Sequence, residues 1–248
     1  MAGRIHVGVG GWTFAPWRGA FYPDAWPRAK ELDYLGQRLT ADEINGTFYR
    51  SQSPATFARW RVAVPDGFVF TVKASRFCTN RRVLADAGES VARFAAQGLT
   101  ELGPKLGPIL WQLAATKAFD AADMAAFLAL LPAAQDGVPL RHAIEPRHES
   151  FRDPAFFAMC RTAGVAVVYA EAEKYPCFAE QTAGFTYARI QTAREELPAG
   201  YSDADLDRLA AQARIWAQGG REVFLFFIGA AKLRNPAAAQ ALIARLES

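Results

Sequence analysis

Residues 41–74 decide the fold. Ala41-Asp-Glu-Ile-Asn-Gly-Thr47 reads as a short strand. Pro54 to Val62 reads as a helix with proline in its first turn. Phe68-Val-Phe-Thr-Val-Lys-Ala74 then reads as a second strand, rich in Val and Phe. Strand, helix and strand in close succession make the crossover unit that parallel neighbours require. The pattern continues outward in both directions. Further strands are expected over 4–10, 108–114, 141–145, 165–170, 185–191 and 222–228. Helices are expected over 28–38, 90–102, 121–131, 154–163, 203–218 and 236–246, with Asp120 as an N-cap and Gly164 as a stop. About eight strand–helix units in 248 residues is the size of a (β/α)8 barrel. The expected fold class is therefore α/β, with one TIM-like barrel domain over 1–248. Its sixth unit is irregular, because 171–183 shows no helical pattern. An open doubly wound sheet satisfies the same alternation and is the competing architecture.

Composition agrees with a globular chain. Apolar residues make up 51% and charged residues 21%, which excludes a disordered tail or a fibrous repeat. Mean hydropathy is −0.02, and the longest apolar run, 223–231, is too short to span a bilayer. No membrane partner is expected. The net charge is +3, from 28 basic and 25 acidic residues, so nothing demands a polyanionic partner. The three cysteines, Cys78, Cys160 and Cys177, form no C-x-x-C pair, which argues against a disulfide framework or a thiolate zinc site. Reduced thiols and the absence of a signal-like apolar segment before Ile5 point to the cytoplasm.

A barrel places its chemistry at the C-terminal ends of its strands. Strand alternation puts Glu43, Asn45 and Thr47 on one face, Thr71 with Lys73 on another, and Tyr187, Arg189 and Gln191 on a third. Gln112 stands opposite Trp111 and Leu113, and Glu145 and Arg147 end the fifth strand. Charges in otherwise apolar strands need partners or a solvated cleft. They form either an ion-pair layer, such as Glu43 with Lys73 or Glu145 with Arg189, or one polar pocket. In a pocket, Lys73 can be an anion-binding cation, a proton carrier or a Schiff-base nucleophile. Glu43 and Glu145 can divide acid and base roles, and Arg147 and Arg189 can clamp a carboxylate or phosphate.

His6 and His142 lie within strands as packed core histidines, and His148 stands at a strand end. A histidine-rich metal centre is thereby disfavoured and no cofactor is expected, while a carboxylate-held Mg²⁺ or Mn²⁺ stays open. Gly8-Val-Gly-Gly11 is followed by no helix, so it is not a dinucleotide fingerprint. Trp12 to Trp26 is densely aromatic: either a self-packed loop or a wall facing a ligand. Gly229 to Pro236, with Lys232 and Arg234, is either an ordinary capped helix start or an anion site.

Several motifs together resemble the YecE-like family, domain of unknown function 72. They are Gly8-Val-Gly-Gly-Trp12 with Trp17 and Phe21-Tyr-Pro23, Glu43-Ile-Asn-Gly-Thr-Phe-Tyr49 and Phe70-Thr-Val-Lys73. Leu106-Gly-Pro-Ile-Leu-Trp-Gln112, Ala143-Ile-Glu-Pro-Arg-His148 with Ser150-Phe151, and Tyr187-Ala-Arg189 continue the series. The resemblance covers nearly the whole chain. It implies a TIM-like barrel but no reaction, and it places Glu43, Asn45, Tyr49, Lys73, Gln112, Glu145, Arg147 and Arg189 at the family's polar positions. The chain departs from that pattern at Thr79-Asn80, where many relatives carry Thr-His. It departs again at Gln191-Thr192, where His-Gly is common, and at Ile228-Gly229 in place of an Asn pair. Such departures disfavour a mechanism that needs a histidine acid or base.

The leading expectation is an enzyme acting on a small polar, anionic metabolite at the C-terminal barrel face. Lys73, Glu145 and Glu43 are the catalytic candidates. Arg147, Arg189, Gln112, Asn45, Tyr49 and Trp12 are the substrate-binding candidates. A nucleic-acid-processing protein is the second reading, against which stands the lack of a basic run or recognition motif. A barrel that binds a metabolite without turnover is the third. Spacing names neither the substrate nor the oligomeric state.

Overall fold

The computed structural model describes residues 2–247. Eight strand positions form a parallel ring: β1 (Ile5–Gly10), β2 (Ala41–Ile44), β3 (Val69–Lys73), β4 (Leu106–Gln112), β5 (His142–Glu145), β6, β7 (Phe185–Ile190) and β8 (Glu222–Phe227). β8 returns to β1, with Ile5 opposite Val223. β6 is in two pieces. Ala166–Val167 pairs with β5 and Tyr169–Glu171 pairs with β7. The ring thus closes through Val168, whose N–H donates to the Ile144 carbonyl at 2.9 Å. This is an α/β barrel, not an open sheet.

Both faces of a parallel sheet are covered, so its strands are apolar on both sides. In β8, Phe224 and Phe226 fill the barrel with Leu110, Phe185 and Tyr187, while Val223, Leu225 and Phe227 join the larger core under the helices. Gly8 serves close strand approach: a Cβ there would lie 2.0 Å from the Ala41 carbonyl oxygen. At the N-terminal end, Glu222 accepts from His6 Nε2 at 3.1 Å and pairs with Arg141, and His6 stacks on Phe224. His142 is a packed core histidine. Its Nδ1 accepts from Trp111 Nε1 at 3.1 Å and its Nε2 meets the Pro132 carbonyl at 2.9 Å.

Several boundaries depart from the expected ones. The strand expected over 41–47 stops at Ile44, because Asn45 turns to φ −90°, ψ −18° and Gly46–Tyr49 makes a helical turn. The strand expected over 108–114 runs instead over Leu106–Gln112. The helix expected over 90–102 ends at Ala95, since Gly98 adopts φ 99° and Leu99–Lys105 continues as a tighter 3₁₀ segment. The helix expected over 28–38 is only Glu31–Gly36, entered by a 3₁₀ turn. A small antiparallel pair, Ala134–Gln135 with Val138–Pro139, was not expected. It turns on Asp136-Gly137, both at positive φ, which is the Asp-Gly hairpin chemistry. Between Glu171 and Phe185 there is no helix among the described residues, so the sixth unit is irregular as expected. Asp120, Asp153 and Ser202 cap the helices that follow them. No helix among the described residues is long and apolar enough to cross a membrane.

Candidate functional site

Three charged side chains turn inward at the C-terminal ends of β2, β5 and β7. They are Glu43, Glu145 and Arg189, at 0%, 0% and 2% exposure. Arg189 grips Glu43 with both arms: Nε donates to Oε2 and Nη2 to Oε1, each at 3.1 Å. Its Nη1 donates to Glu145 Oε2. The other oxygen of Glu145 accepts from Arg147 Nε at 2.6 Å and from Gln112 Nε2 at 3.1 Å. Tyr187 completes the set, donating to Glu43 Oε2 at 2.8 Å while meeting the Thr71 hydroxyl at 2.8 Å. So buried a carboxylate pair is tolerable only with such a complete set of donors. Burial pushes the Glu145 carboxyl up, but the charges of Arg189 and Arg147 outweigh it and hold it at about 2.

Lys73 ends β3 beside this network and differs from every other member. Among the described residues it forms no ion pair and its Nζ no hydrogen bond; the ammonium stands 4.3 Å from the centre of the Phe48 ring. Its backbone carbonyl is held by Thr47 Oγ1 at 2.7 Å, which fixes where the side chain starts. Burial and the nearby Arg189 charge lower its pKa, Glu43 and Glu145 pull it back, and the balance rests at about 8. A neutral amine is therefore accessible near physiological pH, as general-base or nucleophilic work requires.

Six of the expected residues thus share one assembly: Glu43, Lys73, Gln112, Glu145, Arg147 and Arg189. The ion-pair layer exists in it, with Arg189 paired to both Glu145 and Glu43 where Lys73 was an expected partner of Glu43. The carboxylates are neutralised by Arg189 and Arg147, and Lys73 is left over. Arg147 links the buried layer to the mouth, since its guanidinium lies 4.4 Å from the Tyr175 ring centre. Tyr175 lines a cavity of about 280 Å³ together with Gln191 and Ile228. Asn45 donates to the Glu43 carbonyl at 3.3 Å and occupies space that a side chain at Gly10 would take. With Trp12 it lines a cavity of about 210 Å³ next to Trp60. Trp12 itself packs edge-on against Trp60 and Phe70. Tyr49 is 65% exposed, and its ring meets Phe48.

His148 caps the turn at Glu149–Arg152, its Nδ1 meeting the Ser150 N–H and hydroxyl. The aromatic loop packs on itself around the fully buried Trp17. Trp17 Nε1 donates to the Lys232 carbonyl at 2.9 Å, and the Lys232 ammonium stands over Phe14. Loop and 229–236 segment therefore occupy each other. Phe48 and Tyr175, which touch Lys73 and Arg147, escaped the sequence reading. Phe48 lies one residue past the strand expected over 41–47, on a helical turn that was not expected, and Tyr175 lies in the irregular sixth unit. Among the described residues, no group of three or more His, Cys, Asp or Glu side chains is placed to hold a metal ion.

Fold and site define an α/β barrel protein with a polar C-terminal face. The chain belongs to the family described as protein of unknown function DUF72, whose model matches residues 6–248. A DUF72 family protein from Thermotoga maritima is similar over 99% of this chain and 100% of its own, at 22% identity and a TM-score of 0.81. One from Enterococcus faecalis follows at 17% identity and 0.71, covering 98% of this chain and 96% of its own. A xylose isomerase-like TIM barrel/4-hydroxyphenylpyruvate dioxygenase fusion protein shares the fold at 15% identity and 0.54, over 98% of this chain and 44% of that one. No curated protein matches the chain.

Proposed function

We propose that this protein is an enzyme that transfers a proton to or from a small polar, anionic metabolite at the C-terminal barrel face. Lys73 carries the proton. Arg147, part-exposed at the mouth, meets the substrate's negative group. Glu43, Glu145, Arg189 and Gln112 form the rigid buried frame that sets the potential at Lys73 and aims Arg147. One observation carries this reading: an inward lysine without an ion-pair partner among the described residues, its pKa drawn to about 8 beside two carboxylates that are already paired. With Glu145 held at about 2, its charge serves the arginines, and proton transfer near neutral pH falls to Lys73.

The test is a panel of small carboxylates, phosphates and hydroxy or keto acids. Turnover is followed by NMR, alongside thermal-shift binding, for the native chain and Lys73→Met. Turnover by the native chain that vanishes in Lys73→Met, with binding retained, supports the reading. Binding without turnover by either chain points to a sensor and refutes the catalytic role. Equal turnover by both chains refutes the assignment of Lys73.

A further inference from the structure

A cavity of about 580 Å³ lies between the segments that follow β3 and β4, with Asn80, Arg81, Arg82, Thr116 and Lys117 in its lining. That volume lies within the ~300–1,000 Å³ common for small-molecule sites. Its cations are not equivalent. Lys117 is consumed: its ammonium bonds Asp123 Oδ2 and the Arg82 carbonyl, and Asp123 Oδ1 accepts from the Ala85 N–H. Burial would raise the Asp123 carboxyl, yet the Lys117 and backbone bonds hold it below its ordinary value, so this pair is fully charged and internally neutral. Its effect is mechanical, since it braces one cavity wall against the other.

Arg81 and Arg82 are left with their charge. Arg81 is held by neutral acceptors only: Nε by the Phe77 carbonyl at 2.5 Å, Nη1 by the Asp86 carbonyl at 3.1 Å, and Nη2 by Ser90 Oγ at 2.7 Å. Among the described residues neither arginine forms an ion pair. Three of the five N–H donors of Arg81 are used, so its fork is rigid, charged and still able to donate. Ordering a guanidinium with no counter-charge is unfavourable in a resting protein, whereas it lowers the cost of receiving an anion. Two uncompensated arginine charges match a dianion, and the planar fork matches phosphate oxygens. The Asn80 amide and the Thr116 hydroxyl add neutral polar groups. Ala114 and Ala118 leave the space open.

We propose that this cavity is a binding site for the phosphate group of a small phosphomonoester. The assignment stands on the cavity itself and does not require Lys73 to be catalytic. Its position adds to the case: Asn80 follows β3 and Ala114 follows β4, so the cavity flanks the strands that carry Lys73 and Gln112.

Calorimetric titration of the full chain at low ionic strength tests it. The probes are inorganic phosphate and glycerol 3-phosphate, with glycerol and matched sodium chloride as controls. Saturable binding of both phosphates is expected, with no heat from either control. Arg82→Gln changes a side chain that forms no hydrogen bond or ion pair among the described residues, and it is expected to weaken binding by about tenfold, the loss of one charge-assisted bond. Lys73→Met is expected to bind phosphate as the native chain does. No saturable binding at millimolar phosphate would overturn the proposal, as would unchanged affinity in a folded Arg82→Gln. Loss in Lys73→Met alone would move the phosphate to the barrel mouth, ending this inference while leaving the proposed function intact. Tighter binding of an oligonucleotide than of either phosphate, weakened by Arg82→Gln, would overturn the small-molecule assignment.

Discussion

Replacing Arg189 by Met removes the one side chain that neutralises two fully buried carboxylates at once. Glu43 loses both of its guanidinium contacts and keeps Tyr187; Glu145 loses one arginine and keeps Arg147 and Gln112. Breaking a buried pair by deleting one partner costs about 3–5 kcal/mol, because the remaining charge is left uncompensated. The pH dependence follows from Glu145, whose carboxyl is depressed from 4.5 to about 2 in the folded chain. A depressed carboxyl contributes stability above its unfolded value and loses it as pH falls toward the folded value. Over that span Glu145 contributes about 3 kcal/mol to the native chain, lost progressively between about pH 4.5 and 2. Urea unfolding of both chains at several pH values is the assay. The stability gap is expected to be largest at neutral pH and to shrink below about pH 4.5, as the carboxylates left behind take up protons. Adding Glu145→Gln and Glu43→Gln to the variant is expected to recover part of the loss. A variant as stable as the native chain at pH 7, or a gap that ignores acid, would refute the reasoning.

Other expectations concern residues around this layer. Asp42 is fully buried on the opposite face of β2 from Glu43; among the described residues neither carboxylate oxygen makes a well-formed hydrogen bond, and the Gly11 N–H and the Lys232 charge offset its burial only in part. Burial, then the Glu43 charge, pushes its carboxyl well above its ordinary value. Its ionisation therefore opposes folding as pH rises above the unfolded value. Asp42→Leu is expected to raise thermal stability at neutral pH by about 1–3 kcal/mol and to gain less near pH 4, by calorimetry. Gly8→Ala places a methyl group 2.0 Å from the Ala41 carbonyl oxygen, and denaturant unfolding is expected to show a loss of about 1–3 kcal/mol or more as β1 and β2 part. Lys73→Met removes an amine whose charge folding disfavours, and is expected to abolish turnover while increasing stability at pH 7. The increase should vanish above about pH 10.5, where an ordinary lysine also loses its proton.

Much of the site was legible because strand alternation is a local rule. Glu43, Lys73, Gln112, Glu145 and Arg189 all stand on apolar strands, and a charge there shows its face by counting twos. What counting does not show is who pairs with whom. Lys73 was as good a partner for Glu43 as Arg189 on sequence. The structure gives Arg189 to both carboxylates because its fork reaches two acceptors at once, and Lys73 is left facing Phe48. Asn45 and Tyr49 illustrate another limit. Extending β2 through Thr47 would keep Asn45 in the alternation, yet the chain turns helical there and carries Tyr49 to the surface. The aromatic segment and the Lys232 segment each had two readings, and they resolve together, since each covers the other across 215 residues of chain. Arg81 and Arg82 had no periodicity to mark them. Their significance comes from the lack, among the described residues, of a carboxylate within ion-pair distance of either guanidinium.

The proposed function needs Lys73 to be an easily deprotonated amine with no ion-pair partner among the described residues. Competitive acetylation of the native chain across pH 6 to 11, with Lys73 resolved by peptide mass spectrometry, measures this directly. A pKa of about 8 leaves roughly a quarter of Lys73 neutral at pH 7.5, against roughly 0.1% for an ordinary lysine. A reactivity midpoint near pH 8 is expected, rising in Arg189→Met, where the repelling charge is gone. A midpoint at the ordinary 10.5, unmoved by that substitution, would contradict it.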